Sequence, residues 1–374
     1  MPATADRTER IRTRLAGHER RFALLFEAYF DTLRRTLEAP ENSRFAPECV
    51  DLVRDLSLRG GKRLRVALLH EAAGLVTDGH PAGLDEAALS IELLQTHGLI
   101  HDDIIDDSPV RRSGPSTYYA YRDRLPDHPR AALGLALLAG DLAAFLSLRV
   151  LLDSSAPLAL RQALLEIQTE AATSTFVGQI IDLERDFTAV PDEETLDGVA
   201  DYKSARYSVL APLRLGLVAA GERPERFDAE LRRYARLVGI CGQMRDDYLD
   251  LFGDAQVMGK PTGTDLREGR RSYAVAAILA SATGVERAVV EAALGAGRDD
   301  RDRTGATAGG LGADASEAVR EIGRRHGVDA ALRSRMRRHA ELASAEAARW
   351  RPRWRAEAVA FFELLPLWSL EGTG

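Results

Sequence analysis

The stretch LQTHGLIHDDIIDD at residues 94–107 decides the fold of this chain. Its apolar residues recur at helical spacing and lead directly into a group of aspartates. Ser108-Pro109 follows at once and is a typical helix stop. Residues four apart share one face of a helix, so Asp102 and Asp106 present their carboxylates in one direction. The stretch therefore predicts an apolar helix that ends in paired carboxylates.

A second aspartate group repeats this arrangement in RDDYLD at residues 245–250. Asp246 and Asp250 again lie four residues apart, and Gly253 ends the helix. Carboxylates near a helix C-terminus face the negative end of the dipole, at a cost of about 0.3–1 kcal/mol each. A bound cation would offset that cost, and oxygen ligands suit Mg²⁺. An acidic run can also be a solvated helix face, but here the arrangement occurs twice, each time on an apolar helix.

The rest of the sequence is also helical in pattern, with no convincing series of alternating strands. It predicts an all-α fold, a single-domain bundle of many helices over residues 1–374. The Gly-rich, charged stretch 297–314 predicts a mobile surface loop. The most apolar stretch, 131–148, is interrupted by Asp141 and predicts a buried central helix rather than a membrane span.

Composition limits the classes of function. The chain has 374 residues and a formal net charge of −7, which argues against a general nucleic-acid-binding protein. The two cysteines, Cys49 and Cys241, lie far apart and form neither a disulfide framework nor a zinc signature. Residues 1–14 are charged and lack an apolar signal core. We therefore expect a protein of a reducing compartment, the cytoplasm.

Basic residues accompany the aspartates. Arg111-Arg112 follows the first group, and guanidinium groups bind phosphate oxygens bidentately. The stretch GGKRLR at 60–65 lies at a predicted helix N-terminus, where backbone N–H groups favour anions. Lys203 and Lys260 are further donors. A lone surface lysine or arginine usually only solubilises, but together these residues suggest one metal-bound anion site and one held by cationic side chains.

These motifs resemble the trans-isoprenyl diphosphate synthase family, the polyprenyl synthetases, and geranylgeranyl diphosphate synthases in particular. The likeness runs from about Gly60 to Arg271 and rests on motifs that occur in the family's order: GGKRLR at 60–65, HDDIID at 101–106 with Arg111-Arg112, Gly140-Asp141, Gly178-Gln179 with Asp182, Lys203-Ser204, GQMRDDYLDLFGD at 242–254, and Gly259-Lys260. The resemblance implies helices around a central cavity, a homodimer, and a Mg²⁺-dependent prenyltransferase that joins isopentenyl diphosphate to an allylic diphosphate.

The resemblance also implies roles for individual residues. The metal ligands, for three Mg²⁺ ions per site, would be Asp102, Asp106, Asp246 and Asp250, with Asp103, Asp247 and Asp265 as nearby ligands or supporting groups. Residues that contact the allylic diphosphate would be Arg111, Lys203, Gln243 and Lys260, and those that hold isopentenyl diphosphate would be Lys62, Arg65, Gln95 and Arg112. Residues that place the allylic group and the developing cation would be Gln179, Asp182 and Ser204.

Four positions depart mildly from the family pattern. Ser113 stands where glycine usually follows the arginine pair, which puts the turn geometry in question. Gln95 stands where many members have histidine, Ser204 replaces a commoner threonine, and Arg270 stands near a frequent lysine. The last three retain hydrogen-bonding ability, so the expected chemistry is unchanged.

Product length would depend on the residues just before Asp102. By analogy with the family, His97 and Gly98 form the floor of the product cavity, and the small Gly98 favours a C20 product, geranylgeranyl diphosphate. His97 could equally be a hydrogen-bonded core histidine. A farnesyl or longer product stays open. A class I terpene cyclase is less favoured because its usual second metal motif is missing, and a non-catalytic subunit would typically have lost its aspartate groups.

Overall fold

The structure is a computed structural model that describes residues 2–187, 190–254, 262–294 and 311–371. Its α-helices are α1 (Pro2–Thr36), α2 (Phe45–Leu58), α3 (Leu64–Val76), α4 (Leu84–Ile105), α5 (Thr117–Arg124), α6 (Pro129–Leu152), α7 (Leu158–Arg185), α8 (Glu193–Val199), α9 (Ala211–Ala219), α10 (Asp228–Phe252), α11 (Thr264–Arg267), α12 (Tyr273–Ser281), α13 (Gly284–Ala293), α14 (Leu311–Arg325), α15 (Val328–Ala348) and α16 (Ala356–Glu371). A π-helix occupies Ala200–Leu210 and a 3₁₀ turn Pro224–Phe227. The predicted all-α fold is confirmed.

The chain forms two compact units. The first unit comprises Met1–Ala172, Ala211–Phe227 and Trp354–Ala358, and the second comprises Thr173–Leu210, Asp228–Arg353 and Val359–Gly374. The sequence predicted a single domain over the whole chain, and that stays a prediction.

The first unit contains α1–α6, and close helix contacts define its core. The rings of Phe22, Phe26 and Phe30 follow one face of α1 and are buried, with neighbouring centroids 5.0 and 5.1 Å apart. Helix α9 meets α3 at Gly216, where an added Cβ would lie 2.1 Å from the carbonyl oxygen of Leu69. Such an approach requires a residue without a side chain. Helix α3, which follows the basic stretch, is therefore packed closely against α9.

The second unit has α10 at its centre, between the π-helix and α15. Its apolar core includes Ile240, Met244 and Tyr273, all nearly fully buried. Gly239 of α10 meets the π-helix closely, because an added Cβ would lie 2.3 Å from that of Ala205. The second aspartate group and the Lys203 segment are thus held by the same helix pair.

Helix α6 corrects the expectation for the apolar stretch 131–148. One face is buried through residues such as Ala136 and Ala143, while Leu138 and Phe145 on the other are 61% and 72% exposed. In the described part of the chain, α6 alone is long and apolar enough to cross a membrane, and 44% of its most apolar 18-residue window is buried. The prediction of a buried helix is correct for one face and wrong for the other.

Two local features were not predicted. Val110–Arg111 (β1) and Gly114–Pro115 (β2) pair as a short antiparallel hairpin. Helix α14 begins at Leu311, so the predicted loop 297–314 is wrong for its last four residues. Residues 297–310 lie outside the described residues.

Candidate active site

The first aspartate group forms the last turn of α4, which ends at Ile105 as the stop signal predicted. Asp102 and Asp106 are partly exposed, whereas Asp103 is fully buried. This difference in exposure follows from helix geometry, because Asp103 comes one residue after Asp102 and lies off the helix face that Asp102 and Asp106 share. Asp102 and Asp106 are therefore the accessible carboxylates of this group.

Asp103 is bound to Arg111 of the hairpin. The Arg111 Nε donates to Asp103 Oδ1 at 2.8 Å, and Nη2 lies 2.5 Å from the same oxygen. Burial raises the pKa of Asp103 to about 6, although the hydrogen bond and charge of Arg111 act to lower it. Burial alone would lower the pKa of Arg111, but Asp103, Asp102 and Asp106 together raise it. The pair therefore anchors the hairpin to the end of α4.

The hairpin turn holds Arg112 and Ser113, both with positive φ, 49° and 61°. Arg59 at the end of α2 supports the hairpin, because its Nη1 donates to the carbonyl oxygens of Arg111 and Pro115 at 3.1 and 2.7 Å. Arg112 in turn donates to the carbonyl oxygen of Arg59 at 3.2 Å. The sequence had not singled out Arg59, since a lone arginine carries no signal of such contacts.

The basic stretch 60–65 leads into α3, as predicted, and Arg63 precedes that helix with φ 44°. Its buried side chain donates to Glu92 of α4 at 2.6 Å, and its guanidinium lies 5.7 and 5.6 Å from the rings of Phe22 and Phe26. Arg63 therefore turns into the core and fixes the loop. Lys62 is exposed.

The structure brings part of the predicted isopentenyl diphosphate site together. An added Cβ at Gly61 would lie 3.2 Å from the Arg112 guanidinium, so the loop and the hairpin turn meet. Burial lowers the pKa of Arg112, and the charges of Arg63 and Arg65 lower it further. Cations that repel one another at short range form a site that an anion would stabilise. Gln95 is buried on α4.

The predicted product-length residues lie one turn before Asp102. His97 is 7% exposed, and its Nδ1 is 3.0 Å from the carbonyl oxygen of Gly140. An added Cβ at Gly98 would meet no atom of the described residues within 4 Å. Gly98 and Asp102 are four residues apart and share a helix face. Open space thus lies along the face that leads to Asp102.

The second aspartate group lies on α10, which ends at Phe252 as predicted. Asp246 is exposed. Asp247 is buried and accepts from Gln243 Nε2 and the Tyr273 backbone N–H, both at 2.8 Å. Burial raises the pKa of Asp247 to about 6, although those two hydrogen bonds act to lower it. Asp246 is therefore the accessible carboxylate here, and Asp247 joins α10 to α12.

Asp250 has a structural use that the sequence did not predict. Its Oδ1 and Oδ2 accept the backbone N–H groups of Thr264 and Asp265 at 3.2 and 3.0 Å, at the start of α11. Asp265 is itself partly buried, and burial, Asp247 and Asp250 raise its pKa well above the usual range. The predicted metal role of Asp250 stays a prediction.

The π-helix presents Lys203 and Ser204. Lys203 Nζ donates to Asp182 of α7 at 2.6 Å, and Ser204 Oγ donates to Gln243 Oε1 at 3.4 Å. Burial alone would raise the pKa of Asp182, but the charges of Lys203 and Arg185 hold it below its usual value. Four predicted residues are thus brought together. Gln179 lies on α7, one turn before Asp182, and Lys260 lies outside the described residues.

Gly178 explains how α7 approaches the π-helix. An added Cβ there would lie 2.2 Å from the backbone nitrogen of Lys203. The glycine is needed for this contact, and the wider turn of a π-helix often marks a functional site. The structural role of the motif glycine could not be derived from its sequence spacing.

The first aspartate group, the basic loop and the hairpin belong to the first unit, and the second group with Lys203 belongs to the second unit. Their convergence on one ligand stays a prediction.

Comparison with known proteins gives consistent matches. A short chain isoprenyl diphosphate synthase of Methanothermobacter thermautotrophicus is 30% identical over 242 residues, 64% of this chain and 69% of the relative. The farnesyl diphosphate synthase of Escherichia coli is 30% identical over 224 residues, 58% of this chain and 71% of the relative. A structure of geranylgeranyl pyrophosphate synthase from Corynebacterium glutamicum, complexed with isoprenyl diphosphate and magnesium, aligns with a TM-score of 0.80, 26% identity and 98% of each chain.

Fold, motifs and relatives together define the class: an all-helical prenyltransferase that elongates trans-isoprenyl diphosphates. The model of the polyprenyl synthetase family matches residues 47–308, and the chain belongs to that family. The predicted family and reaction class are therefore confirmed. The relatives' names span several product lengths, so membership alone does not fix the product.

Proposed function

We propose that the chain condenses isopentenyl diphosphate with allylic diphosphates head to tail and releases C20 geranylgeranyl diphosphate. The observation that carries the chain length is the open space at Gly98, one turn before Asp102 on the same face of α4. A bulky residue at this position would close the path of a growing chain, and glycine leaves it open.

The allylic diphosphate is held through Mg²⁺ by Asp102, Asp106 and Asp246, with Asp250 as a further ligand and three ions per site. The donor set supports this proposal, because the first three are accessible carboxylates and such oxygens suit a hard cation. Asp103 and Asp247 are buried and bound within the protein, so we place them as supports of the ligand-bearing helices. When bound, Mg²⁺ supplies positive charge that stabilises the diphosphate leaving group.

The protein's own residues complete the ionisation site. Arg111, Lys203, Gln243 and Lys260 contact the allylic diphosphate, and Gln179, Asp182 and Ser204 orient the allylic group. Hydrogen bonds from Ser204 to Gln243 and from Gln243 to Asp247 support this assignment. They hold these polar groups in place before the charge of the transition state develops. Lys203 is held by Asp182 and can present its charge without reorganisation.

Isopentenyl diphosphate is held by Lys62, Arg65, Gln95 and Arg112. The allylic carbon–oxygen bond ionises first, the alkene of isopentenyl diphosphate then attacks the allylic cation, and the released diphosphate accepts the proton that the new chain loses. The reaction requires that water be excluded, since water would otherwise capture the cation. The mutual repulsion of Arg112, Arg63 and Arg65 supports an anion site at this loop.

The test uses purified protein, Mg²⁺, isopentenyl diphosphate and allylic primers from C5 to C15, with mass analysis of the products. We expect C20 diphosphate as the main product. A main product of C15, or one longer than C20, would overturn the proposed length, and no elongation of any primer would overturn the function. A product without its diphosphate would indicate a cyclase.

Variants at the proposed cavity floor test the product length directly. Gly98→Phe should shorten the main product, because the ring would occupy the open space. Gly17→Phe on α1 is the control, since an added Cβ at Gly17 also meets no described residue within 4 Å, and it should leave the product unchanged. An unchanged product in Gly98→Phe would contradict the assignment. An unchanged product in His97→Ala would remove His97 from the floor.

We further propose a cytoplasmic homodimer. The exposed apolar face of α6, with Leu138 and Phe145, supports an interface between two copies because such a patch is costly in water. The molar mass in solution, measured by light scattering, should be about twice that of one chain. A monomeric wild type would contradict the proposal, and Phe145→Asp should shift the mass toward the monomer.

A further inference from the structure

His97, His101 and Asp141 form a cluster of possible metal ligands, of which the prenyl-transfer proposal uses only His97, as part of the cavity floor. His97 and His101 lie on α4 and Asp141 on α6, all within the first unit. One possible ligand atom from each residue lies within 4.8 Å of the other two. We propose that these three side chains bind a transition-metal ion of the Zn²⁺ class, at a site separate from the magnesium ligands.

The spacing on α4 suits such an ion. His97 and His101 are four residues apart, which places both imidazoles on one face of the helix, the same spacing that metal-binding histidine pairs use. Their ring centroids are 4.5 Å apart and their planes are inclined by 46°. An ion held by both rings would lie about 2 Å from each nitrogen, the usual zinc–imidazole length, and the possible ligand atoms already lie within 4.8 Å of one another.

His97 is already oriented by a hydrogen bond. Its Nδ1 lies 3.0 Å from the Gly140 carbonyl oxygen, and a carbonyl can only accept, so Nδ1 donates. The lone pair of the neutral ring is therefore on Nε2. A metal-binding histidine commonly donates its other ring nitrogen to a backbone carbonyl in this way, which fixes the ring and increases the basicity of the ligand atom.

His101 is pressed against α6 beside Asp141. An added Cβ at Gly140 would lie 2.3 Å from His101 Cδ2 and Nε2, so the glycine makes room for the ring. His101 Nε2 is buried and has no hydrogen-bond partner among the described residues, yet Asp141 Oδ1 lies 3.4 Å away. A buried polar atom without a partner is costly, and an ion between imidazole and carboxylate would satisfy it.

The donor set distinguishes this site from the aspartate groups. Two imidazoles and one carboxylate favour zinc or a similar ion, whereas Mg²⁺ prefers oxygen ligands alone. Three protein ligands leave a fourth position for water. Because the ligands come from two helices, a bound ion would also join α4 to α6 and should raise the thermal stability of the protein.

The test measures binding of Zn²⁺ and Co²⁺ to untagged protein with excess Mg²⁺, which keeps the aspartate groups occupied. We expect one tight Zn²⁺ site per chain by calorimetry and intense visible absorption from tetrahedral Co²⁺. His101→Gln and Asp141→Asn should each weaken Zn²⁺ binding by at least about tenfold, since loss of a mere supporting group already costs that much. Circular dichroism verifies that each variant is folded.

The controls are His128→Gln and Asp127→Asn, exposed residues next to the start of α6, which should leave Zn²⁺ affinity unchanged. Absence of a tight site in the wild type would overturn the proposal. Equal affinity in wild type, His101→Gln and Asp141→Asn would also overturn it, because the ion would then bind elsewhere, for example at the stacked rings of His18 and His70. None of these readouts uses prenyl transfer, so the outcome is independent of the proposed function.

Discussion

Ser113 occupies a turn position that favours glycine. The hairpin has a two-residue turn, Arg112-Ser113, and both residues have positive φ. This is the backbone of a type I′ turn, in which glycine commonly takes the second position. For a residue with a Cβ, that conformation costs about 1 kcal/mol or more. The observed backbone at this position therefore suits the glycine that is usual in the family. Serine adopts the same turn but makes the protein less stable.

Ser113→Gly should accordingly stabilise the protein by about 0.5–1 kcal/mol, after the greater flexibility of glycine in the unfolded chain is counted. Chemical denaturation measures the change in the free energy of unfolding. Ser113→Ala is the matched control, because alanine keeps the Cβ and should give no gain. Equal stability of the glycine and alanine variants would contradict the assigned strain.

His70 makes stability depend on pH. Burial, together with the positive charges of His18, Arg21 and His80, lowers the pKa of His70 to about 3. The rings of His18 and His80 lie 5.3 and 6.0 Å from that of His70. Between about pH 6.5 and pH 3 the unfolded chain binds the proton and the folded chain does not. Stability contributed by the neutral ring is therefore present above this window and lost as the pH falls through it.

Between pH 6 and 4, the free energy of unfolding of His70→Gln should change less steeply with pH than that of the wild type. The difference in slope should be roughly 1 kcal/mol per pH unit, as expected for one linked proton. Denaturation at several pH values in that range gives the slope for each protein. His128→Gln, at an exposed position, should keep the wild-type slope. If the two variants have the same slope, His70 is not the linked group.

Helix contacts through glycine fix the Lys203 segment. Gly178→Ala would place a Cβ 2.2 Å from the backbone nitrogen of Lys203, and a backbone atom cannot move aside as a side chain can. We expect a loss of stability of about 1–3 kcal/mol from overpacking and a lower kcat, because Lys203 would be displaced.

Gly198→Ala in α8 is the control for this prediction, since an added Cβ there meets no described residue within 4 Å. It should be neutral or slightly stabilising, because alanine favours helix. Thermal unfolding and steady-state kinetics separate the two variants. Wild-type kcat in Gly178→Ala would show that the close contact does not position Lys203.

The ends of α4 and α10 were predictable because each combines an apolar stripe, paired aspartates and a helix stop. The start of α3 followed from its Gly-rich basic stretch. The use of the aspartates was less predictable, since only the packed helices show that Asp103 is buried against Arg111 and that Asp250 caps α11. Arg63 was also missed, because nothing local in sequence places its side chain beside Glu92 rather than in solvent.

The proposed function requires both aspartate groups to hold the same diphosphate. The two groups lie in separate units of the chain, so this proposal has to be tested on the whole protein. Asp102→Asn and Asp246→Asn each remove one accessible carboxylate. We expect each to reduce kcat/KM on the order of 100-fold or more, as loss of one preorganised electrostatic group typically does.

The double variant Asp102→Asn/Asp246→Asn then distinguishes one shared site from two independent ones. Residues that act as a unit have strongly non-additive effects, because once the shared site is broken a second loss matters less. The double variant should therefore lose much less activity than the product of the two single losses. Asp102→Asn combined with Lys62→Ala provides a reference for a pair that the proposal places on different diphosphates, and its losses should multiply. Multiplied losses in the double aspartate variant would place the two groups on separate ligands and would contradict the proposed magnesium-bridged diphosphate.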